Sequence, residues 1–222
     1  MMESIILACP TLRYELTAAL TSQHATIPIQ YIPQHLHETP DALQRHLQQC
    51  INRLSNEYDR IIICVSSCGG GTAGLMSNSS ELIIPRTRDC VDILLSNENS
   101  LTTLQRPIDG VIFTKGWVDF NTNSPHSLSN LTKTKGKEYA ENYIRNLYDG
   151  FNHFYFVDTG LGHLPYIIEK MTPLVECLYG TSDIIHGNYG ILKKIAREQF
   201  DEDFIKLSAH MAVDTSQFLT WC

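Results

Sequence analysis

Short apolar runs alternate with amphipathic stretches of helical period through the first half of the chain. Ser4-Ile5-Ile6-Leu7-Ala8 predicts a strand, and Leu12, Leu16, Ala19 and Leu20 recur along one helix face over about residues 11–22. A second strand is expected near 27–33. Thr39 then reads as a helix cap with Pro40 at the first helical position, ahead of a helix to about Asn56 on Leu43, Leu47, Cys50, Ile51 and Leu54. Residues 60–65 are so uniformly apolar that they predict a central strand covered on both faces. A strand at 82–84 and a helix at 91–95, with Asp89 as N-cap, complete this half.

The second half repeats the pattern. Residues 110–114 and 154–157 predict strands, 135–149 and 165–178 helices, and 119–133 a polar loop. The stretch 183–204 reads as helical. The expected fold class is α/β, with two Rossmann-like lobes of mostly parallel sheet and a cleft at the strand C-terminal edges. The lobes are placed at 1–106, carrying a cysteine-rich site, and 107–222, closing the cleft.

Composition narrows the function classes. Hydrophobic content of 43% with 18% charged residues fits a globular chain, and no apolar run approaches the roughly 20 residues of a membrane span. The start, Met1-Met2-Glu3-Ser4, lacks the basic n-region of a signal peptide, so a cytoplasmic location without a membrane partner is expected. A net charge of −7 argues against nucleic acid. The basic clusters Lys133–Lys137 and Lys193-Lys194-Arg197 read as solvated faces. The aromatic-rich second half leaves room for a homodimer surface.

Seven cysteines, without export signals, point to metal binding, catalysis or burial rather than disulfides. Cys50, Cys64 and Cys177 fall in apolar elements and read as core residues, while Cys222 ends the chain and reads as mobile. Cys9, His37, Cys68 and Cys90 each follow a predicted strand. In an open parallel sheet such positions gather along one edge, so these four are the candidate ligands of zinc, or the thiols of an iron–sulfur cluster. His37 carries the weaker signal, because a histidine near a helix start is commonly solvated or capping. At a helix N-terminus the Cys90 thiol is expected to ionise readily, helped by Arg86 or Arg88, either of which reads equally as a surface cation.

Gly69, Gly70 and Gly71 follow Cys68 and form a turn that a cofactor or anion can approach closely. The loop lacks the Gly-Lys-Ser/Thr ending of a P-loop, and a tight turn alone also explains its glycines. Arg86 and Lys115 are candidates to hold an anionic substrate. Asp158 is a candidate base or orienter, or simply the cap of the Thr159-Gly160 turn. His163 is the histidine of the second lobe best placed to face a cleft.

Cys9, Leu36-His37-x-x-Pro40, Cys68-Gly69-x-Gly71-x-x-Gly74-Leu75 and Pro85-Arg86-x-x-Asp89-Cys90 together resemble the bacterial and archaeal family called domain of unknown function 1638. Thr114-x-Gly116-Trp117, Asp158-Thr159 and Gly187 followed by Leu192-Lys193-Lys194 look like its later blocks, so the resemblance covers nearly the whole chain. It brings no established reaction. It implies a setting in anaerobic metabolism near corrinoid-dependent methyl transfer, hence a corrinoid as cofactor or a corrinoid protein as partner. Three functions follow as expectations: a metal-dependent transferase or lyase acting on a small anionic or thiol substrate, a non-catalytic carrier or chaperone of a metal or corrinoid, and a metal-free thiol-redox protein.

Overall fold

The computed structural model describes residues 2–34, 36 and 39–220. His37 and Cys222 therefore lie outside the described residues. The chain forms two compact units, Met1–Leu104 with Tyr189–Cys222, and Gln105–Asn188.

In the first unit β1 (Ser4–Ala8) leads through a 3-10 turn, Pro10–Leu12, into α1 (Arg13–Ser22). Then come β2 (Ile29–Tyr31), α2 (Pro40–Leu54), β3 (Arg60–Cys64), β4 (Glu81–Pro85) and α3 (Cys90–Leu95). β1 pairs in parallel with β2 and β3, and β3 in parallel with β4. Side chains alternate across a strand. Accordingly Ile5, Leu7, Ile61, Ile63, Leu82 and Ile84 pack on one face with Leu43, Leu47 and Ile51 of α2. Ile6, Ala8, Ile62, Cys64 and Ile83 pack on the other with Leu12 and Leu16. Both faces are covered, which is why these strands read as unbroken apolar runs. Thr39 stands at the N-cap of α2 with Pro40 behind it, but its side chain makes no capping hydrogen bond.

The second unit runs through β5 (Val111–Phe113), α4 (Lys115–Asn123), α5 (Leu128–Lys135), α6 (Lys137–Leu147), β6 (His153–Asp158), α7 (Leu164–Cys177) and β7 (Thr181–His186). Its sheet has the order β5-β6-β7, all parallel. Phe113 stacks on Phe154 and Phe156 at 5.6 and 5.9 Å and anchors the core with Ile144, Ile167 and Met171.

Three expectations change. The polar stretch 119–133 is mostly helical, with only 124–127 left as a turn between α4 and α5. Thr114 and Ser127 hydroxyls cap α4 and α5 by accepting from Trp117 and Asn130 amides. Thr122, Thr132 and Thr134 donate to the carbonyls four residues back, so their polarity is absorbed by the helices themselves. The stretch 183–204 holds most of strand β7, then α8 (Gly190–Ala196), and leads into β8 (Phe204–Leu207). β7 has five exposed residues of six, so it carries little apolar alternation to read. Finally, the boundary at 106/107 leaves the second lobe too long, because the last segment returns to the first unit. β8 pairs antiparallel with β4, and Ile191, Leu192 and Ile195 of α8 enter the first core.

That return is held by a lysine taken above for a surface cation. Lys194 is 7% exposed, and its Nζ lies 2.6 Å from Asp201 Oδ2 and 2.6 Å from Asp203 Oδ2. Asp203 also accepts from the Leu101 amide at 2.8 Å. Burial disfavours the charged lysine, but the two carboxylate hydrogen bonds outweigh it and raise the Lys194 pKa. Burial likewise pushes Asp201 up, and the Lys194 and Asp203 hydrogen bonds more than offset it, leaving it lowered. Among the described residues no helix is long and apolar enough to cross a membrane.

Replacing Lys194 by Met should destabilise the first unit by about 3–5 kcal/mol, because it strands the buried Asp203 carboxylate. Urea unfolding at neutral pH measures this. Asp201, whose folded pKa is depressed, contributes stability present above its unfolded pKa, roughly 3.9, and lost as pH falls through the folded value. The wild type should therefore lose midpoint stability below about pH 4 more steeply than the Lys194→Met variant.

Candidate thiol site

The first sheet has the order β2-β1-β3-β4-β8. From β1 the chain moves outward to β2, whereas from β3 it moves the other way to β4, so the direction of winding switches between β1 and β3. The segments leaving these strands therefore diverge at the strand C-termini. Cys9 follows β1, Cys68 follows β3 by four residues, and Cys90 follows β4 at the start of α3.

Cys9 is 1% exposed; its amide donates to the Cys64 carbonyl, and its thiol lies 2.8 Å from the Thr11 hydroxyl. Cys68 is half-buried and donates its thiol to the Val65 carbonyl at 2.7 Å. Its backbone amide donates to the Arg88 carbonyl at 3.0 Å, and Ser67 donates likewise to Thr87. The loops after β3 and β4 are thus laced together. The buried hydroxyls of Ser66 and Thr87, 2.6 Å apart, add a further tie.

The backbone of this loop is held in an uncommon conformation. Ser66 and Cys68 have φ of 63° and 40°, in the left-handed region that side chains other than glycine seldom occupy. Such strain costs on the order of 1–3 kcal/mol per residue and clusters at functional sites. Gly69 and Gly70 continue the left-handed run. Gly71 is required for a different reason: a Cβ there would lie 2.6 Å from Leu43 Cδ2. The amides of Gly70 and Gly71 donate to the Ser67 and Cys68 carbonyls, so they close the turn instead of lining an anion cradle.

Cys9 hydrogen-bonds Cys90, and Cys68 lies near enough to both for their charges to oppose one another. A hydrogen bond with Cys9 is the largest influence raising the Cys90 pKa, followed by burial and by the charges that Cys9, Cys68 and Asp89 would carry. Burial pushes Cys68 up most, then Cys9 and Asp89; the Cys90 amide hydrogen bond favours the Cys68 thiolate but is outweighed. Cys90 does sit at a helix N-terminus capped by Asp89, whose Oδ1 accepts from Val91 and Asp92 amides. The expected easy ionisation is nevertheless reversed, because the Cys9 hydrogen bond, burial, the two neighbouring thiols and lastly the capping carboxylate all oppose the negative charge. Burial alone pushes Cys64, inside β3, up to about 12.

The basic candidates have other partners. Arg88 forms a two-pronged pair with the fully buried Asp92, Nε to Oδ2 at 2.6 Å and Nη2 to Oδ1 at 2.8 Å, while its own amide donates to Oδ2 at 3.0 Å. Arg86 donates from Nε to the Gln217 carbonyl at 2.8 Å and from Nη1 to the Glu202 carbonyl at 3.1 Å, fastening the C-terminal segment. Lys115 and Asp158 belong to the second unit. Lys115 Nζ lies 2.5 Å from Asp119 Oδ2 and 4.4 Å above the Tyr166 ring. Asp158 accepts from the Gly160 amide at 2.9 Å and lies 3.8 Å from His186 Nδ1. His163, also in that unit, has its pKa lowered by burial first and then by Lys115.

The structure thus brings Cys9, Cys68 and Cys90 together with the Gly69–Gly71 turn. Among the described residues, no group of three or more His, Cys, Asp or Glu side chains is already disposed to hold a metal ion. Sequence reasoning missed Thr11 and Asp92. The Cys-x-Thr spacing across a tight turn and the i,i+4 spacing of Arg88 and Asp92 were the available signals.

Replacing Arg88 by Met should cost about 3–5 kcal/mol, because Asp92 is left buried without its cation. Denaturant unfolding reads the loss. Replacing both Arg88 and Asp92 by apolar residues should recover much of it.

No curated protein and no solved structure matches the chain. The family model described as Protein of unknown function (DUF1638) matches residues 31–196, from the end of β2 to the end of α8, taking in Cys68, the glycine turn and Cys90. Cys9 precedes the matched stretch. The match spans well over half of the chain, which belongs to the DUF1638 family of proteins of unknown function.

Proposed function

We propose that the first unit takes up a thiophilic metal, zinc or an iron–sulfur cluster, through Cys9, Cys68 and Cys90, and that the protein is an enzyme acting there on a small anionic or thiol substrate. The observation that carries this reading is that Cys9, Cys68 and Cys90 follow parallel strands of one sheet and stand near enough for Cys9 to hydrogen-bond Cys90 and for Cys9 and Cys68 each to oppose charge on it. Three sulfur donors form a soft set suited to either group. Each thiol hinders ionisation of the others, and a cation would turn that repulsion into attraction.

The chain's own residues set the terms. Cys9 would exchange its Thr11 contact, and Cys68 its Val65 carbonyl, for the metal. The Cys90 amide, already hydrogen-bonded to Cys68, would stabilise that sulfur as a thiolate. The paired Arg88 and Asp92 hold the loop that presents Cys90. Bound zinc would keep a substrate thiol nucleophilic at neutral pH, as methyl transfer in a corrinoid-linked system requires, whereas a cluster would supply electron transfer or Lewis acidity. A second reading, a metal-free redox dithiol, is favoured by the Cys9–Cys90 hydrogen bond.

Anaerobically purified protein should contain near-stoichiometric zinc or iron by elemental analysis. Cys68→Ser and Cys90→Ser should each lower the content at least tenfold, while Cys177→Ser in the second unit leaves it unchanged. Metal-free protein whose Cys9 and Cys90 form a disulfide with oxidised glutathione would replace the metal reading with the redox one.

Uptake by apo protein should release protons, since burial and the neighbouring thiols hold Cys68 and Cys90 protonated. Apparent affinity should consequently rise with pH, by up to roughly a hundredfold per unit between pH 6 and 8 for these two thiols. Competition with a chelator of known pH dependence measures the slope. A slope near zero would rule out the three thiols as ligands.

A further inference from the structure

We propose that β7 is the interface of a homodimer, in which two copies of this strand pair antiparallel and join two second-unit sheets into one. The proposal is independent of the metal reading, since the thiols belong to the first unit.

β7 is the last strand in the order β5-β6-β7. Thr181 and Gly187 donate their amides to the Asn152 and Asp158 carbonyls on the β6 side. Backbone direction alternates along a strand, so Asp183 and Ile185 also face β6, while the N–H and C=O groups of Ser182, Ile184 and His186 point away from it. That row of donors and acceptors is a template for another strand. The usual protections of such an edge, a proline, a lysine or a covering element, are missing from the six residues. Asp183 is the charged exception, and its carboxylate already lies 2.9 Å from His153 of its own chain.

The apolar surface follows the same edge. Ile184 pairs in register with Phe156 and so shares its face, yet it is 48% exposed where Phe156 is buried. Phe151 and Tyr179, 47% and 83% exposed, shortly precede β6 and β7.

The sequence of the strand selects a second copy of itself as occupant. A two-fold axis that continues a sheet stands perpendicular to it and keeps every side chain on its own face, so one residue must pair with its own copy. Centred on Asp183, the axis would set two carboxylates opposite each other at about 4.5 Å between Cα atoms. Centred on Ile185, it would leave Ser182 outside the paired strands. Centred on Ile184, it joins Ile184 to its own copy and Ser182 to His186 in both directions, which uses every outward backbone group of the strand. This register also buries the two exposed isoleucines against each other.

Light scattering of the full chain at tens of micromolar should give twice the 25.1 kDa chain mass. Amide exchange followed by NMR should show Ser182, Ile184 and His186 at least tenfold slower in concentrated than in dilute samples, with Asp183 and Ile185 unchanged. Ile184→Pro removes only an outward N–H that the monomer does not use, so it should give a monomer with unaltered circular dichroism; Ile184→Asp provides a second variant that keeps the amide. A monomer at that concentration would leave the edge to a peptide of another protein and overturn the proposal. So would a dimer that survives both substitutions, or one whose outward amides exchange independently of concentration.

Discussion

Burial of β3 on both faces and along both edges is the constraint from which the first unit follows. With Ile61, Ile62 and Ile63 fully buried and β1 and β4 hydrogen-bonded on either side, this strand can exist only inside a layered α/β unit. Parallel pairing then requires crossover connections, through α1 after β1, α2 after β2 and the glycine turn after β3, so β1 to β4 all end at the same edge. The thiols meet at one edge because the strands beneath them are parallel.

That edge is shaped by opposition as much as by attraction. Ser66 and Cys68 take left-handed backbone conformations, and the cost is carried by hydrogen bonds from Ser66, Ser67 and Cys68 to the loop after β4. The cap of α3 is a carboxylate, and the three sulfurs share a site that resists negative charge. Metal uptake or oxidation, as proposed above, would have to remove the protons that burial and neighbouring charge hold on Cys68 and Cys90. The Arg88–Asp92 pair isolates its two charges from this balance by satisfying them locally.

The two units close their sheets differently. The first ends in β8, a short antiparallel strand that the returning chain lays beside β4. The second ends in β7, whose outer edge is open among the described residues and whose apolar side chains are left in solvent. One edge is capped within the chain, while the other would be capped by a second copy in the proposed dimer.

The sequence by itself determined the elements whose patterns were strong. The apolar runs of β1, β3 and β4, the face of α2 and the Asp89 cap were legible because burial on both faces demands unbroken hydrophobicity and a cap demands a short oxygen-bearing side chain. Placing Cys9, Cys68 and Cys90 after parallel strands was legible for the same reason. Tertiary structure alone decided what depends on partners distant in sequence. Lys194 reads as a surface cation until Asp201 and Asp203 enclose it, and Arg86 reads as an anion binder until the C-terminal carbonyls take it. The return of the last segment, the strand in 183–204 and the raised thiol pKa values share that origin. Periodicity records what a residue buries, whereas its charge state and its pairing are fixed by neighbours that only the folded chain brings near.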